Sequence, residues 1–133
     1  MAGETVLIVD DAPVNLKLAG IVLRKEGYTV HTAGDAEQAL ELIPELRPDV
    51  LLVDIQMPGM DGLELTRLLR QNPAMRDMVV VALTACAMKG DKQMAIDAGC
   101  DGYITKPINT HTLGSAIREY LDRRATEGRS TTG

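Results

Sequence analysis

Asp10 and Asp11 stand side by side at the end of an apolar run, "TVLIV" (5–9), where two like charges repel unless something relieves them. A third carboxylate, Asp54, ends a second such run, "DVLLV" (49–53). Thr84 ends a third, "MVVVAL" (78–83), and Lys106 closes "YITK", just past a shorter run, "GYI" (102–104). Each run reads as a strand. Every one of these polar residues therefore lies at a strand's carboxyl end, where open α/β sheets bind ligands. Gathered in one mouth, three carboxylates repel one another, and a cation is what would relieve them. Hard carboxylate oxygens with room left for water suit Mg²⁺. An amine and a hydroxyl beside them suit an anion held against that cation, and a phosphoryl group is the anion that uses all three. A carboxylate can also attack phosphorus to give an aspartyl-phosphate. Asp54 is the better nucleophile candidate, being the more central, which leaves Asp10 and Asp11 to hold the metal.

Taken singly, these residues have plainer roles. One Asp after a strand is an ordinary helix cap. A lone strand-end Thr is a satisfied hydroxyl, and a lone Lys is a solvated charge. Only the constellation points to chemistry.

The elements that must position it follow from pattern. The runs 5–9, 49–53 and 78–83 are continuous and aliphatic, as expected of central parallel strands covered on both faces. "YTVHTA" (28–33) and "GYI" (102–104) read as flanking strands. Between them lie helical stripes: Val14, Leu18, Ile21 and Val22, with Pro13 near the start; Ala36, Ala39, Leu40 and Ile43, with Asp35 and Gln38 in capping-box relation; Leu65, Leu68 and Leu69, with Asp61 and Glu64 in the same relation. A weakly apolar fourth helix covers about Asp91 to Ala98 and stops at Gly99. Leu113, Ile117, Tyr120 and Leu121 mark a fifth, with Asn109 as its expected cap. A strand followed by a helix, five times over, predicts an α/β fold: a five-stranded parallel sheet with helices on both faces. The tail "RATEGRSTTG" is polar and is expected to fray, so one domain over 1–124 and a tail over 125–133 are predicted.

Composition narrows the function. The chain has 133 residues and a net charge of -5, without a basic face for direct nucleic-acid binding. Three Tyr and no Phe or Trp leave an aliphatic core. Cys86 and Cys100 form no disulfide framework, no run reaches membrane-spanning length, and no signal-peptide pattern opens the chain. A cytoplasmic protein is expected. His31 and His111 lack companions at metal or triad spacing and read as surface residues. Met57, Met60, Met88 and Met94 read as packing or interface residues.

The acidic pair Asp10-Asp11, Asp54 followed by "MPGMDG", Thr84-Ala85 and Lys106-Pro107 resemble the receiver domain of two-component response regulators, from Thr5 to about Arg124. "DIQMPGMDGLE" and "TACAMKGDKQMAIDAGCDGYITKPI" look most like single-domain regulators or the receivers of hybrid kinases. The resemblance implies a flavodoxin-like fold with strand order 2-1-3-4-5. It implies that Asp54 accepts a phosphoryl group from a histidine kinase or phosphotransfer protein. Asp11, Asp54 and the backbone carbonyl of Gln56 would hold Mg²⁺ directly, and Asp10 mostly through a water. Lys106 would pair with the phosphoryl group and Thr84 would bond one of its oxygens. Tyr103 would be the switch aromatic, Pro107 would follow a cis peptide bond, and Gln56 and Cys86 would tune the lifetime of the phosphoryl group. The implied output surface is the fourth helix, fifth strand and fifth helix, acting on a downstream protein from a monomer or weak dimer. Such a domain is a signalling module, not an enzyme in the ordinary sense.

Two rivals share the topology. A phosphatase of the haloacid dehalogenase kind needs a second Asp two residues after its nucleophile, and here that residue is Gln56. A flavodoxin-like nucleotide carrier needs a Gly-rich or hydroxyl-rich phosphate loop after the first strand, where this chain has Asp10-Asp11. A third reading, a receiver cut from a hybrid kinase or longer regulator, keeps the same chemistry.

Overall fold

The computed structural model describes residues 3–57, 59–75, 77–84 and 89–132, and only the backbone of residues 89, 91 and 124–132. The strands are β1 (Thr5–Val9), β2 (Thr29–Ala33), β3 (Val50–Asp54), β4 (Val79–Thr84) and β5 (Gly102–Thr105). The helices are α1 (Pro13–Lys25), α2 (Ala36–Leu46), α3 (Gly62–Gln71), α4 (Lys89–Ala98) and α5 (Leu113–Thr132), with a short 3-10 turn at Pro73–Met75. All strand pairs are parallel, in the order β2-β1-β3-β4-β5. The chain moves outward from β1 to β2, then returns past β1 to β3. The order therefore reverses between β1 and β3, and the crevice of such a sheet opens at that point.

Strand alternation divides the aliphatic residues between two cores. Leu7, Val9, Leu51, Val53, Val80 and Ala82 face one side, where Ile43 of α2, Leu65 and Leu69 of α3, and Ala95 and Ala98 of α4 cover them. Val6, Ile8, Val50, Leu52, Val79, Val81 and Leu83 face the other, under Ala19 and Leu23 of α1 and Leu113 and Ile117 of α5. β1, β3 and β4 are buried on both faces, which is why they read as unbroken apolar runs instead of alternating ones.

The two capping relations form. Asp35 accepts from the Gln38 amide at 2.8 Å, and the Gln38 side chain accepts from the Gly34 amide at 2.8 Å. Asp61 accepts from the Glu64 amide at 2.9 Å.

Other expectations are corrected. In α1, Val14 is 75% exposed and Ile21 52% exposed, while Ala19, Gly20 and Leu23 are buried. Leu18 and Val22 of the expected stripe do pack against the core, so the stripe fails only at Val14 and Ile21, where the core face turns instead on small residues that let the helix approach the sheet closely. Leu68 of α3 and Met94 of α4 are likewise exposed, and Leu63 and Thr66 take the inner positions of α3. Asn109 keeps its expected capping role, on the turn that runs into α5. Its side chain accepts from the His111 amide at 2.9 Å and its carbonyl accepts from Thr112 and Leu113, making a turn ahead of the helix. α5 itself continues to Thr132 across the stretch expected to fray. The Arg, Ala and Glu of that stretch are good helix formers.

The corrected face of α1 has a direct consequence. Leu23→Ala removes a side chain with no exposure and is expected to cost about 2–5 kcal/mol. Val14→Ala is expected to stay within about 0.5 kcal/mol of the parent. Urea unfolding of the two variants checks this; a larger loss from Val14→Ala would restore the stripe read from the sequence.

Candidate functional site

β1 ends at Val9, and the next residue, Asp10, is wholly buried. Its amide donates to the carbonyl of Ala33, which ties it to β2. Its carboxylate accepts from the Ala12 amide at 2.9 Å through Oδ1 and from the Asn15 side-chain amide at 3.1 Å through Oδ2. This serves the helix as well as the site. α1 opens with Pro13, and the residue before it, Ala12, has no side chain to cap with. Asp11, its neighbour, is exposed.

Asp54 is the last residue of β3 and only 4% exposed. Its Oδ1 accepts from the Gln56 amide at 2.8 Å, which folds the chain back just after the strand. Its Oδ2 accepts from Lys106 Nζ at 2.8 Å, and the same ammonium lies 3.2 Å from Asp10 Oδ2. One ammonium thus spans two strand-end carboxylates. Asp10, Asp11 and Asp54 each bring a carboxylate oxygen to within 4.8 Å of the others.

Lys106 is delivered by β5. Its amide donates to the Thr84 carbonyl at 2.7 Å, one step beyond the paired residues Thr84 and Thr105, so the ladder from β4 to β5 runs to the base of the side chain. The Lys106–Pro107 peptide bond is cis. Thr84 ends β4 and is buried, one residue past Leu83, which pairs with Asp54. Tyr103 is half-buried on β5, packed against the α2–α3–α4 core, with Lys92 Nζ of α4 5.5 Å from its ring centre. Gln56 is exposed, and Cys86 lies outside the described residues. Neither histidine joins the cluster. Asn15, which holds Asp10, escaped the sequence reading: an Asn in the first turn of a helix looks like an ordinary end-of-helix polar residue.

The electrostatics are those of crowded like charges. Burial pushes the Asp54 carboxyl above its ordinary range, more than the Lys106 bond and the Gln56 amide pull it down, and nearby Asp10 pushes the same way as burial. For Lys106 burial acts downward, but the bond to Asp54 and the charges of Asp54 and Asp10 outweigh it, and the amine is raised. With all groups ionised, three carboxylates face one ammonium, which leaves two negative charges uncompensated. Carboxylate oxygens with that residual charge fit a hard divalent cation.

Comparison with known proteins places the chain in a family. Residues 6–118 match the family described as response regulator receiver domain. The polar-differentiation response regulator DivK of Brucella anthropi is 39% identical over 118 residues, which are 89% of this chain and 96% of that protein. The chemotaxis protein CheY4 of Vibrio cholerae superposes with a TM-score of 0.85 at 30% identity, covering 89% of this chain and 98% of that one. The signal receiver domain of a signal transduction histidine kinase from Syntrophus aciditrophicus gives a TM-score of 0.82 at 30% identity, covering 90% and 91%.

The raised Asp54 makes metal-free stability depend on pH in a defined direction. Its contribution is fully present below the ordinary aspartate value of 3.8 and is lost as pH rises through the raised value. Without divalent cations, the wild type should therefore gain on Asp54→Asn as pH falls from neutrality toward the carboxylate range. Paired urea melts across that range check this. A difference that stays flat, or that shrinks as pH falls, contradicts the burial of a charged Asp54.

Proposed function

The chain belongs to the response regulator receiver family, and on that premise we propose that Asp54 is its phosphoacceptor. The observation that carries this reading is the single ammonium of Lys106 shared by Asp54 and Asp10, at the point where the strand order reverses. An oxygen of Asp54 attacks the phosphorus of a phosphohistidine on a histidine kinase or phosphotransfer protein. The P–N bond breaks, and the histidine nitrogen leaves with the bond's electron pair and takes up a proton. Phosphoryl transfer of this kind asks for positioning and charge neutralisation more than for covalent help.

Each residue's part follows from its place. Asp11, Asp54 and the backbone carbonyl of Gln56 would hold Mg²⁺, with Asp10 beside them. The cation supplies charge neutralisation for the incoming phosphoryl oxygens. Asp10, fixed by Ala12, Asn15 and Lys106, contributes a charge that does not move. Lys106 leaves its carboxylate partners and pairs with the phosphoryl group. The Thr84 hydroxyl donates to a phosphoryl oxygen, and Gln56 and Cys86, each two residues beyond a site residue, set how long the group survives.

The switch is a change of charge. Phosphorylation adds nearly two negative charges and strong acceptor oxygens beside Thr84. Drawing Thr84 inward opens space for Tyr103, whose ring sits against the core with Lys92 over it. The equilibrium between two arrangements of α4, β5 and α5 then shifts by about 1–3 kcal/mol, an ordinary coupling energy. That face is the output surface, presented to a downstream protein in the cytoplasm. No helix among the described residues is long and apolar enough to cross a membrane. The chain acts as a signalling module, whether alone or as the receiver part of a longer regulator or hybrid kinase, as in the Syntrophus protein.

Acetyl phosphate with Mg²⁺ should add one phosphoryl mass to the intact protein, and neither Asp54→Ala nor the wild type with a chelator should gain it. Intact-mass spectrometry reads all three. A gain that persists in Asp54→Ala places the acceptor elsewhere and removes this reading.

A further inference from the structure

Gly62 is the first residue of α3 and follows Asp61, the residue that caps that helix. Its backbone is ordinary, since it is not among the glycines with positive φ. Conformation therefore does not call for a glycine here, but space does. A methyl group at Gly62 would lie 2.5 Å from the carbonyl oxygen of Asp54, 3.0 Å from its carbonyl carbon and 3.0 Å from the Cα of Ile55. All three atoms are backbone, so no side chain can swing aside.

Those atoms belong to the peptide that joins Asp54 to the turn carrying Gln56. Two further contacts bound the same short stretch, and a third fixes the start of the helix. The Ile55 amide donates to the Leu83 carbonyl of β4 at 3.1 Å. The Gln56 amide donates to Asp54 Oδ1 at 2.8 Å. The buried Thr66 hydroxyl donates to the Gly62 carbonyl at 2.8 Å, and its oxygen lies 3.8 Å from Cys100 Sγ, which holds the first turn of α3 in place. The start of α3 thus rests directly on the peptide after Asp54, with β4 bracing that stretch through Ile55.

The geometry points to Gly62 as a positioning residue. Its bare Cα lets α3 sit against the Asp54–Ile55 peptide, and that contact fixes where the Asp54 carboxylate and the Gln56 carbonyl stand relative to Asp10 and Asp11. The inference rests on the reading of these groups as a Mg²⁺ and phosphoryl site, and adds a residue that touches neither ligand.

Gly62→Ala forces the Asp54 peptide and α3 apart. Disturbing a contact that orients metal ligands typically costs about 10–100-fold in affinity. Isothermal titration with Mg²⁺ should show a loss of about tenfold or more. Gly59→Ala is the control. Gly59 lies in the same loop at φ +76 with nothing within 4 Å of an added methyl, so it strains the loop without touching Asp54. It should lose stability and keep wild-type Mg²⁺ affinity. Wild-type affinity in Gly62→Ala overturns the inference, as does an equal weakening in both variants. Wild-type protein that binds no Mg²⁺ overturns the site itself, whereas a normal wild type with a normal Gly62→Ala sinks only the role of Gly62. If Gly62→Ala needs help to fold, the titration is run in trimethylamine N-oxide, which favours compact states. A variant still unfolded there overturns the inference too, because the contact would then serve the fold and not the site.

Discussion

Asp10 and Asp54 share one ammonium, and that shared charge is the constraint around which the carboxyl end of the sheet is arranged. Two carboxylates about 4 Å apart repel by roughly 4 kcal/mol at the effective dielectric typical of such sites. Lys106 offsets the repulsion by facing both at once. Stability alone does not call for this arrangement. Replacing a buried ion pair with well-packed apolar side chains is often neutral or stabilises a fold by about 1–4 kcal/mol. A fold indifferent to chemistry would do better with three aliphatic residues at these positions. The acidic cluster is instead a place that holds uncompensated charge at a strand end, the arrangement on which the proposed cation and phosphoryl chemistry rests.

Such a site needs ends that do not drift, and the two cores provide them. β1 and β3, which end at Asp10 and Asp54, are buried on both faces and adjacent in the sheet. β4 and β5 carry Thr84 and Lys106 in register beside them. Arg70 adds a clasp at the opposite end of the same sheet. From α3 it donates to the carbonyls of Gly99 and Met78 and to the Asp101 carboxylate, which also accepts from the Val80 amide. The C-terminal end of α4, the start of β4 and the loop into β5 are thereby tied to α3. The fixed part of the molecule reaches the C-terminal end of α4.

Most of the site was legible in the sequence because its residues fall at ends of apolar runs, and runs of that kind are easy to see. Asp10, Asp54 and Thr84 each lie at the end of a strand recognisable by its branched aliphatics, and Lys106 follows the shorter β5. The helices were harder. In α1 Leu18 and Val22 marked the packed side, but the large residues Val14 and Ile21 are exposed and the small Ala19 and Gly20 are buried in their stead. Leu68 misled in the same way, with Thr66 buried in α3. Asn15 and Arg70 were illegible for another reason. Their partners lie across turns or are backbone groups of other elements, and a pattern read along one segment does not register such bonds.

Gly62 marks the boundary between these two kinds of information. Its type is plain in "MPGMDG", and a glycine after Asp61 suggests only a turn or a permissive backbone. The fold shows an ordinary backbone there and an unyielding neighbour. What decides the residue is the close approach of a helix start to the strand end it serves, a distance set by the packing of α3 on β3 and β4. The residue the helix start approaches is Asp54, whose carboxyl is raised by burial. Tight seating of α3 and electrostatic crowding at Asp54 therefore meet at one residue: the peptide against which the helix start rests is the one that carries the buried carboxylate, and a helix set farther from the strand would admit a side chain at 62.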